Sequence, residues 1–262
     1  MYNFRPKTLI IGQKIKYLPS CQSTNDVAAE LIAADEAMEG LVVITDNQTA
    51  GRGQRGNQWE ARAGQNLTIS IILQPSFLQA SEQFWLNIAV SLGISDWLET
   101  YVHDRLKIKW PNDLYIDERK IGGILIENTL QGYSIAWSVV GIGLNINQTQ
   151  FSNPNATSLL NETPNDSEFV LEEALHLLLT SFEQRYLALR ASRTNGAQRN
   201  VLKAAYLQRL FRYQEEHDFI ADNERFRGII VGVSETGLLA IQSGERLRYF
   251  GFKEVEFVLG NR

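Results

Sequence analysis

Between two apolar runs, Leu41-Val-Val-Ile-Thr45 and Leu67-Thr-Ile-Ser-Ile-Ile-Leu73, the chain carries Gly51-Arg52-Gly53-Gln54-Arg55-Gly56, then Trp59, Arg62 and Gly64. Glycines let backbone N–H groups approach an anion, and a guanidinium fork binds phosphate or carboxylate through two hydrogen bonds. The chemistry on offer is closure of a loop over an anionic ligand. The segment also satisfies G-x-G-x-x-G, but a dinucleotide site needs a helix opening at the third glycine, and 57–64 leads into a strand pattern. It has the glycine spacing of a phosphate loop too, yet Asn57-Gln58 stands where Lys and Ser/Thr are required. Both motifs are set aside. The plain alternative is a solvated glycine-rich hairpin loop.

The elements that would hold this loop follow from periodicity. Both flanks are short, β-branched and alternating, which predicts strands. Lys14–Leu18 alternates likewise, with Pro19-Ser20 as its end. Ser23-Thr24-Asn25 precedes a helical run at Asp26–Ala34, so these residues cap a helix or face a polar ligand. Residues 81–98 predict an amphipathic helix with Phe84, Trp85, Ile88, Leu92 and Trp97 in the core. Leu106–Trp110 predicts a strand, Pro111-Asn-Asp113 a turn, and 114–127 a hairpin around Asp117-Glu118-Arg119. The next strand spans 133–147. Glycines at 122, 123, 141 and 143 weaken two adjacent strands unless a flat ligand lies against them.

Residues 148–166 predict a polar connection. Helices follow from a Ser167 cap to about Leu189, and over 197–210. A linker is expected at 213–217. Short strands between glycine turns beyond it predict a small β-barrel of roughly 45 residues.

The 262 residues suffice for one large domain and a small one, placed at 1–212 and 213–262. With 25 basic and 30 acidic residues the net charge is −5, which argues against wholesale binding to nucleic acid or anionic membranes. Cys21 is the single cysteine, so no internal disulfide forms. There is no apolar leader and no run long enough to span a bilayer, so a cytoplasmic protein is expected.

Ser23-Thr-Asn25, Gln48-Thr-Ala-Gly-Arg-Gly53, Lys109-Trp-Pro-Asn-Asp113, Lys120-Ile-Gly-Gly-Ile-Leu125 and Gly141-Ile-Gly-Leu-Asn145 together resemble the biotin–protein ligases in order and spacing. The resemblance covers about 9–262. It implies an α+β fold: a mixed sheet flanked by helices, akin to class II aminoacyl-tRNA synthetase cores, and a C-terminal SH3-like β-barrel. The motifs begin at Ser23, so the resemblance is to the ligase-only form, without an N-terminal DNA-binding domain.

The implied reaction has two steps. Biotin and MgATP give biotinyl-AMP, then a lysine of the biotin carboxyl carrier protein takes the biotinyl group. By resemblance, Lys120 bridges the carboxylate and α-phosphate, with Arg52 and Asp113 in the catalytic group. Ser23, Thr24, Asn25, Gln48, Gly51, Arg52, Gly53, Gln54, Lys120, Gly123, Leu125 and Gly141 would surround biotin. Arg55, Trp59, Lys109, Asn112, Lys120 and Asn145 would face the nucleotide, with Mg²⁺ held mainly through ATP rather than by a protein metal site. Asp113 stays open between accepting a proton from the incoming lysine, orienting Lys120 and capping a turn. A homodimer is compatible with the resemblance, and neither nucleic acid nor membrane is an expected partner. One departure stands out: the family's usual loop has a second arginine where this chain has Gln54. The alternatives are a lipoate or octanoate ligase or transferase of the same fold, and a biotin or nucleotide sensor without turnover.

Overall fold

Alternating apolar residues give seven strands: β1 (Ile15–Cys21), β2 (Val42–Gln48), β3 (Asn66–Leu73), β4 (Leu106–Lys109), β5 (Asp113–Ile116), β6 (Arg119–Gln131) and β7 (Ser134–Asn145). The structure is a computed structural model and describes residues 6–164 and 167–259, the side chain of Arg55 excepted. The strands form one mixed sheet in the order β1-β2-β3-β7-β6-β5-β4. β1 runs parallel to β2 and the other pairings are antiparallel.

Helices cover both faces. They are α1 (Thr24–Ala33), α2 (Gln83–Val102), α3 (Leu159–Glu162), α4 (Leu171–Ala191) and α5 (Gly196–Arg209). Leu67, Ile69, Ile71 and Leu73 of β3 join the main core with residues of α2, α4 and α5. The opposite face of the sheet packs Ile72, Val43 and Val139 against Ala28 and Leu31 of α1. Period-two alternation therefore aims Thr68 and Ser70, buried but polar, at the α1 side. This is the side on which the site forms.

Several expectations change. The first strand does not end at Pro19, because β1 is an edge strand and can leave that residue unpaired. α1 starts at Thr24, and Ser23 occupies the N-cap position without a side-chain capping bond. The helix expected to be amphipathic is buried without interruption from Phe84 to Ser95. α4 packs so closely on α2 that a Cβ on Gly93 would come 2.7 Å from Phe182 Cα. α4 begins at Leu171 rather than after Ser167, since Asn147 brackets Phe169 with bonds to its N–H (2.8 Å) and C=O (2.9 Å) and holds it out of the helix. The 148–166 connection contains α3, capped by Ser158.

The small C-terminal unit is a five-stranded sheet of β8 (Glu216–Ala221), β9 (Glu224–Val233), β10 (Leu239–Ser243), β11 (Arg246–Phe250) and β12 (Glu256–Phe257). Its order is β11-β10-β9-β8-β12, and among the described residues no pairing joins the two edges. The expected linker at 213–217 is fastened: Phe211 N–H donates to Ile108 C=O (2.9 Å) and Gln214 N–H to Ile230 C=O (3.0 Å). Trp110 Nε1 reaches across to Gly237 C=O at 3.0 Å, so one continuous core spans both sheets. Among the described residues no helix is long and apolar enough to cross a membrane.

Candidate active site

Glycine places the floor of the site. Gly143 pairs with Thr68 on one side and Gly123 on the other, while Gly141 pairs with Ser70 and Leu125. Side chains are thus missing from adjacent positions of β6 and β7. Trp59 and Asn25 lie in the space this leaves. A Cβ on Gly143 would fall 2.6 Å from Trp59 Nε1, and one on Gly123 3.2 Å from its Cζ3. A Cβ on Gly141 would fall 3.0 Å from Asn25 Cγ. Trp59 Nε1 is buried, and among the described residues it has no hydrogen-bond partner.

The arginine loop folds back as a tight hairpin over this floor. Gly53 N–H donates to Asn57 C=O (2.6 Å) and Trp59 N–H to Gly51 C=O (3.0 Å), around a 3-10 turn at Gln54–Gly56. Gly56 ends that turn at φ 84°, a conformation other residues rarely adopt. Gln54 docks the tip onto the sheet through two bonds from Nε2, to Asn112 Oδ1 (2.5 Å) and Ile124 C=O (2.9 Å).

At one end of the cleft the groups are neutral and polar. Gln48 Oε1 accepts from Thr24 N–H (2.8 Å) and Thr24 Oγ1 (3.2 Å), and Ser70 Oγ donates to Asn25 Oδ1 (2.6 Å). Such an array of amides and hydroxyls suits an uncharged ring with both donors and acceptors. At the other end Lys120 Nζ pairs with Asp113 Oδ1 at 2.8 Å and lies 5.9 Å from the centre of a Trp59 ring. Lys120 is less than one-third exposed, so its charge is only partly screened.

Arg52 does not point freely at an anion. Its guanidinium binds Glu127 through both oxygens (3.0 and 2.9 Å) and Asp26 at 2.7 Å. Burial draws its pKa down, but the bonds and charges of Glu127 and Asp26 outweigh that and leave it above the ordinary arginine value. All three side chains are about half-exposed, so each pair contributes only about 0–1 kcal/mol.

Of the residues expected around biotin, all except Gly51 line the cleft; of those expected around the nucleotide, only Trp59 and Lys120 do. Gly51 meets Trp59 through the backbone, its C=O accepting from Trp59 N–H (3.0 Å), and Asn112 is buried against Asn87 (2.6 Å) and Gln54. Asn145 is buried and donates to Thr157 C=O at 2.9 Å, while its Oδ1 has no partner among the described residues. Lys109 lies between the rings of Tyr115 (5.1 Å) and Phe257 (5.2 Å), where burial lowers its pKa against the pull of Asp113. Arg55 belongs to the 3-10 turn; its side chain lies outside the described residues. Arg52 and Asp113, expected with Lys120 in the catalytic group, line the cleft as Lys120 does.

Gly143, Thr68 and Phe252 also line the cleft, and Glu127 borders it through Asn25 and Arg52. The sequence reading missed Glu127, although the strand's period of two puts it on the same face as Gly123 and Leu125. Phe252, contributed by the small sheet, has no local signal. Cys21 is not part of the cleft wall, and burial pushes its thiol up, away from thiolate. Free space inside is about 100 Å³.

Comparison with known proteins agrees with this arrangement. Residues 17–145 match the model of the biotin/lipoate A/B protein ligase family. The bifunctional ligase/repressor BirA of Bacillus subtilis is 31% identical over 262 residues, covering 97% of this chain and 77% of that one. The biotin–[acetyl-CoA-carboxylase] ligase of Mycobacterium tuberculosis is 29% identical over 165 residues, 60% of each chain. Among solved structures, the Aquifex aeolicus biotin protein ligase in complex with biotin and ATP superposes with a TM-score of 0.73 at 25% identity, over 93% of this chain and 98% of that one.

Proposed function

This chain belongs to the biotin/lipoate A/B protein ligase family, and from that premise we propose that it activates biotin as biotinyl-5'-AMP and biotinylates a carboxylase carrier. The acceptor in this reading is one lysine of the biotin carboxyl carrier protein of acetyl-CoA carboxylase, and the setting is the cytoplasm. Residues 213–262 are read as a separate SH3-like domain, and pairing of two copies is part of the proposal, testable by light scattering. The observation that carries the reading is the Lys120–Asp113 pair at 2.8 Å, at one end of a cleft whose other end is lined by Ser23, Thr24, Asn25 and Gln48.

A carboxylate cannot acylate an amine until its oxygen becomes a good leaving group, and its approach to a phosphate brings two anions together. In the proposed first step a carboxylate oxygen of biotin attacks the α-phosphorus of ATP and pyrophosphate leaves. Lys120 stabilises the charge that builds between them, and Asp113 holds that ammonium in place. In the second step the carrier's neutral amine attacks the acyl carbon, the bond from that carbon to the phosphate oxygen breaks so that AMP leaves, and the nitrogen's proton passes to solvent, giving an amide. Trp59 and the loop exclude water from the anhydride. In this reading Mg²⁺ arrives with ATP.

The acyl-transferase alternative needs a cysteine nucleophile, and no thiol lines the cleft. The decisive experiment incubates a carrier domain with this protein, biotin and MgATP and reads its mass. A biotinyl adduct supports the proposal. An adduct with lipoate but not biotin transfers it to the lipoate reading, and no pyrophosphate release at all leaves the sensor.

A further inference from the structure

We infer that Glu127 is a positioning residue for the biotin half of this site: one carboxylate that fixes the orientation of Asn25 and latches the arginine loop through Arg52. The inference rests on the function proposed above. Glu127 Oε2 accepts from Asn25 Nδ2 at 2.7 Å. A carboxylate can only accept, so Asn25 must turn its amino group toward β6 and leave Oδ1 for Ser70 Oγ at 2.6 Å. Leu125 C=O accepts from the same Nδ2 only at 3.4 Å, so without Glu127 this longer bond alone would hold the amino group on the β6 side.

The same carboxylate takes both Nη atoms of Arg52, at 3.0 and 2.9 Å. Arg52 opens the loop hairpin, bridging to Gln58 beside Trp59. Asp26, in the first turn of α1, takes Nη2 at 2.7 Å. Three separate parts of the chain (α1, the loop and β6) therefore meet at one ionic cluster on the cleft mouth. A half-exposed pair contributes little energy alone, but a bidentate fork fixes direction, and here it decides where the loop rests. With two carboxylates around it, Arg52 holds the loop closed, and the compensating charge for a bound anion falls to Lys120.

Glu127→Gln keeps a carbonyl able to accept from Asn25 but loses the ionic fork; Glu127→Ala loses both. Calorimetry should show biotin binding weakened roughly tenfold or more in the alanine variant and less in the glutamine variant. Pyrophosphate release at saturating biotin and ATP should stay near the wild-type rate, which separates positioning from catalysis. Trypsin should cut the ligand-free loop at 52–62 faster in both variants, and in wild type faster as salt rises. Read at Arg55 and Arg62, the sites both variants keep, cleavage should not accelerate further when Arg52→Ala is added to Glu127→Ala. Wild-type biotin affinity together with wild-type cleavage in both variants overturns the inference; so does a fall in turnover with biotin affinity unchanged. If the alanine variant melts before assay temperature, the glutamine variant alone decides. Loss of the proposed activity in wild type would refute that reading, while the ligand-free cleavage rates would still judge the latch.

Discussion

The indole of Trp59 rests on the backbone of Gly143, so closely that a Cβ there would come 2.6 Å from its Nε1 and 2.7 Å from Cζ2. Gly143→Ala should therefore lift the ring off the floor without disturbing the β3–β7 ladder. If Trp59 covers the adenine, removing it from its seat costs a stacking contribution of roughly 1–3 kcal/mol, and ATP binding weakens more than biotin binding. Calorimetry with each ligand tests this. Equal losses for both would mean that the ring only supports the loop.

Lys120→Ala should slow biotin-dependent pyrophosphate release by roughly 100- to 1,000-fold, the effect of deleting one preorganised charge or donor at a developing anion. The melting temperature should change little, because Lys120 is partly exposed and its ion-pair partner, Asp113, also reaches solvent. Pyrophosphate release at the wild-type rate would refute the assignment of Lys120.

Alkaline stability tests the core between the two sheets. Tyr206 is fully buried and donates to Pro111 C=O at 2.7 Å, and burial raises its pKa well above the ordinary tyrosine value. Above a pH of about 10 the unfolded chain loses this proton while the folded chain keeps it, so stability falls as pH rises. Tyr186 and Tyr115 are raised as well, chiefly by burial, and act in the same direction. Tyr206→Phe should cost about 1 kcal/mol at pH 7 for the lost hydrogen bond, yet lose stability less steeply above pH 10. Urea midpoints at pH 8 and 10.5 give both slopes; equal slopes would place the ionisation elsewhere.

What could be read from the sequence was what is local. Strands β2 and β3 around the arginine loop follow from alternation, and Thr68 and Ser70 stand out as polar positions on an otherwise apolar strand. The glycines of β6 and β7 announced a bare floor because an interior glycine has little other use in a strand. Boundaries failed where a distant partner overrode a local signal. Ser167 resembles a helix cap, but Asn147 holds Phe169 extended. Lys109 sits in a motif expected to face phosphates, yet its neighbours include Phe257, 148 positions later, which no local pattern foretells. Glu127 lay in plain view, but its role depends on Arg52, 75 positions away.

Gln54 offers the last test. In this structure its Nε2 donates to Asn112 Oδ1 and Ile124 C=O, so it pins the loop tip to the sheet through neutral hydrogen bonds. An arginine here could still donate to both acceptors and would add a positive charge beside the cleft, one able to bind the phosphate of an adenylate. A charge-assisted bond exceeds a neutral one by roughly 1 kcal/mol, or about fivefold in a rate constant. Gln54→Arg should therefore slow dissociation of biotinyl-AMP by about that factor, mainly through the off-rate, because loop contacts form after the ligand is seated. Gln54→Ala should do the reverse, since it releases Asn112 and the Ile124 carbonyl together. Stopped-flow dissociation of biotinyl-AMP from the three proteins decides the matter. Three equal off-rates would mean that the hold on the adenylate lies elsewhere in the loop and that residue 54 serves only its closure.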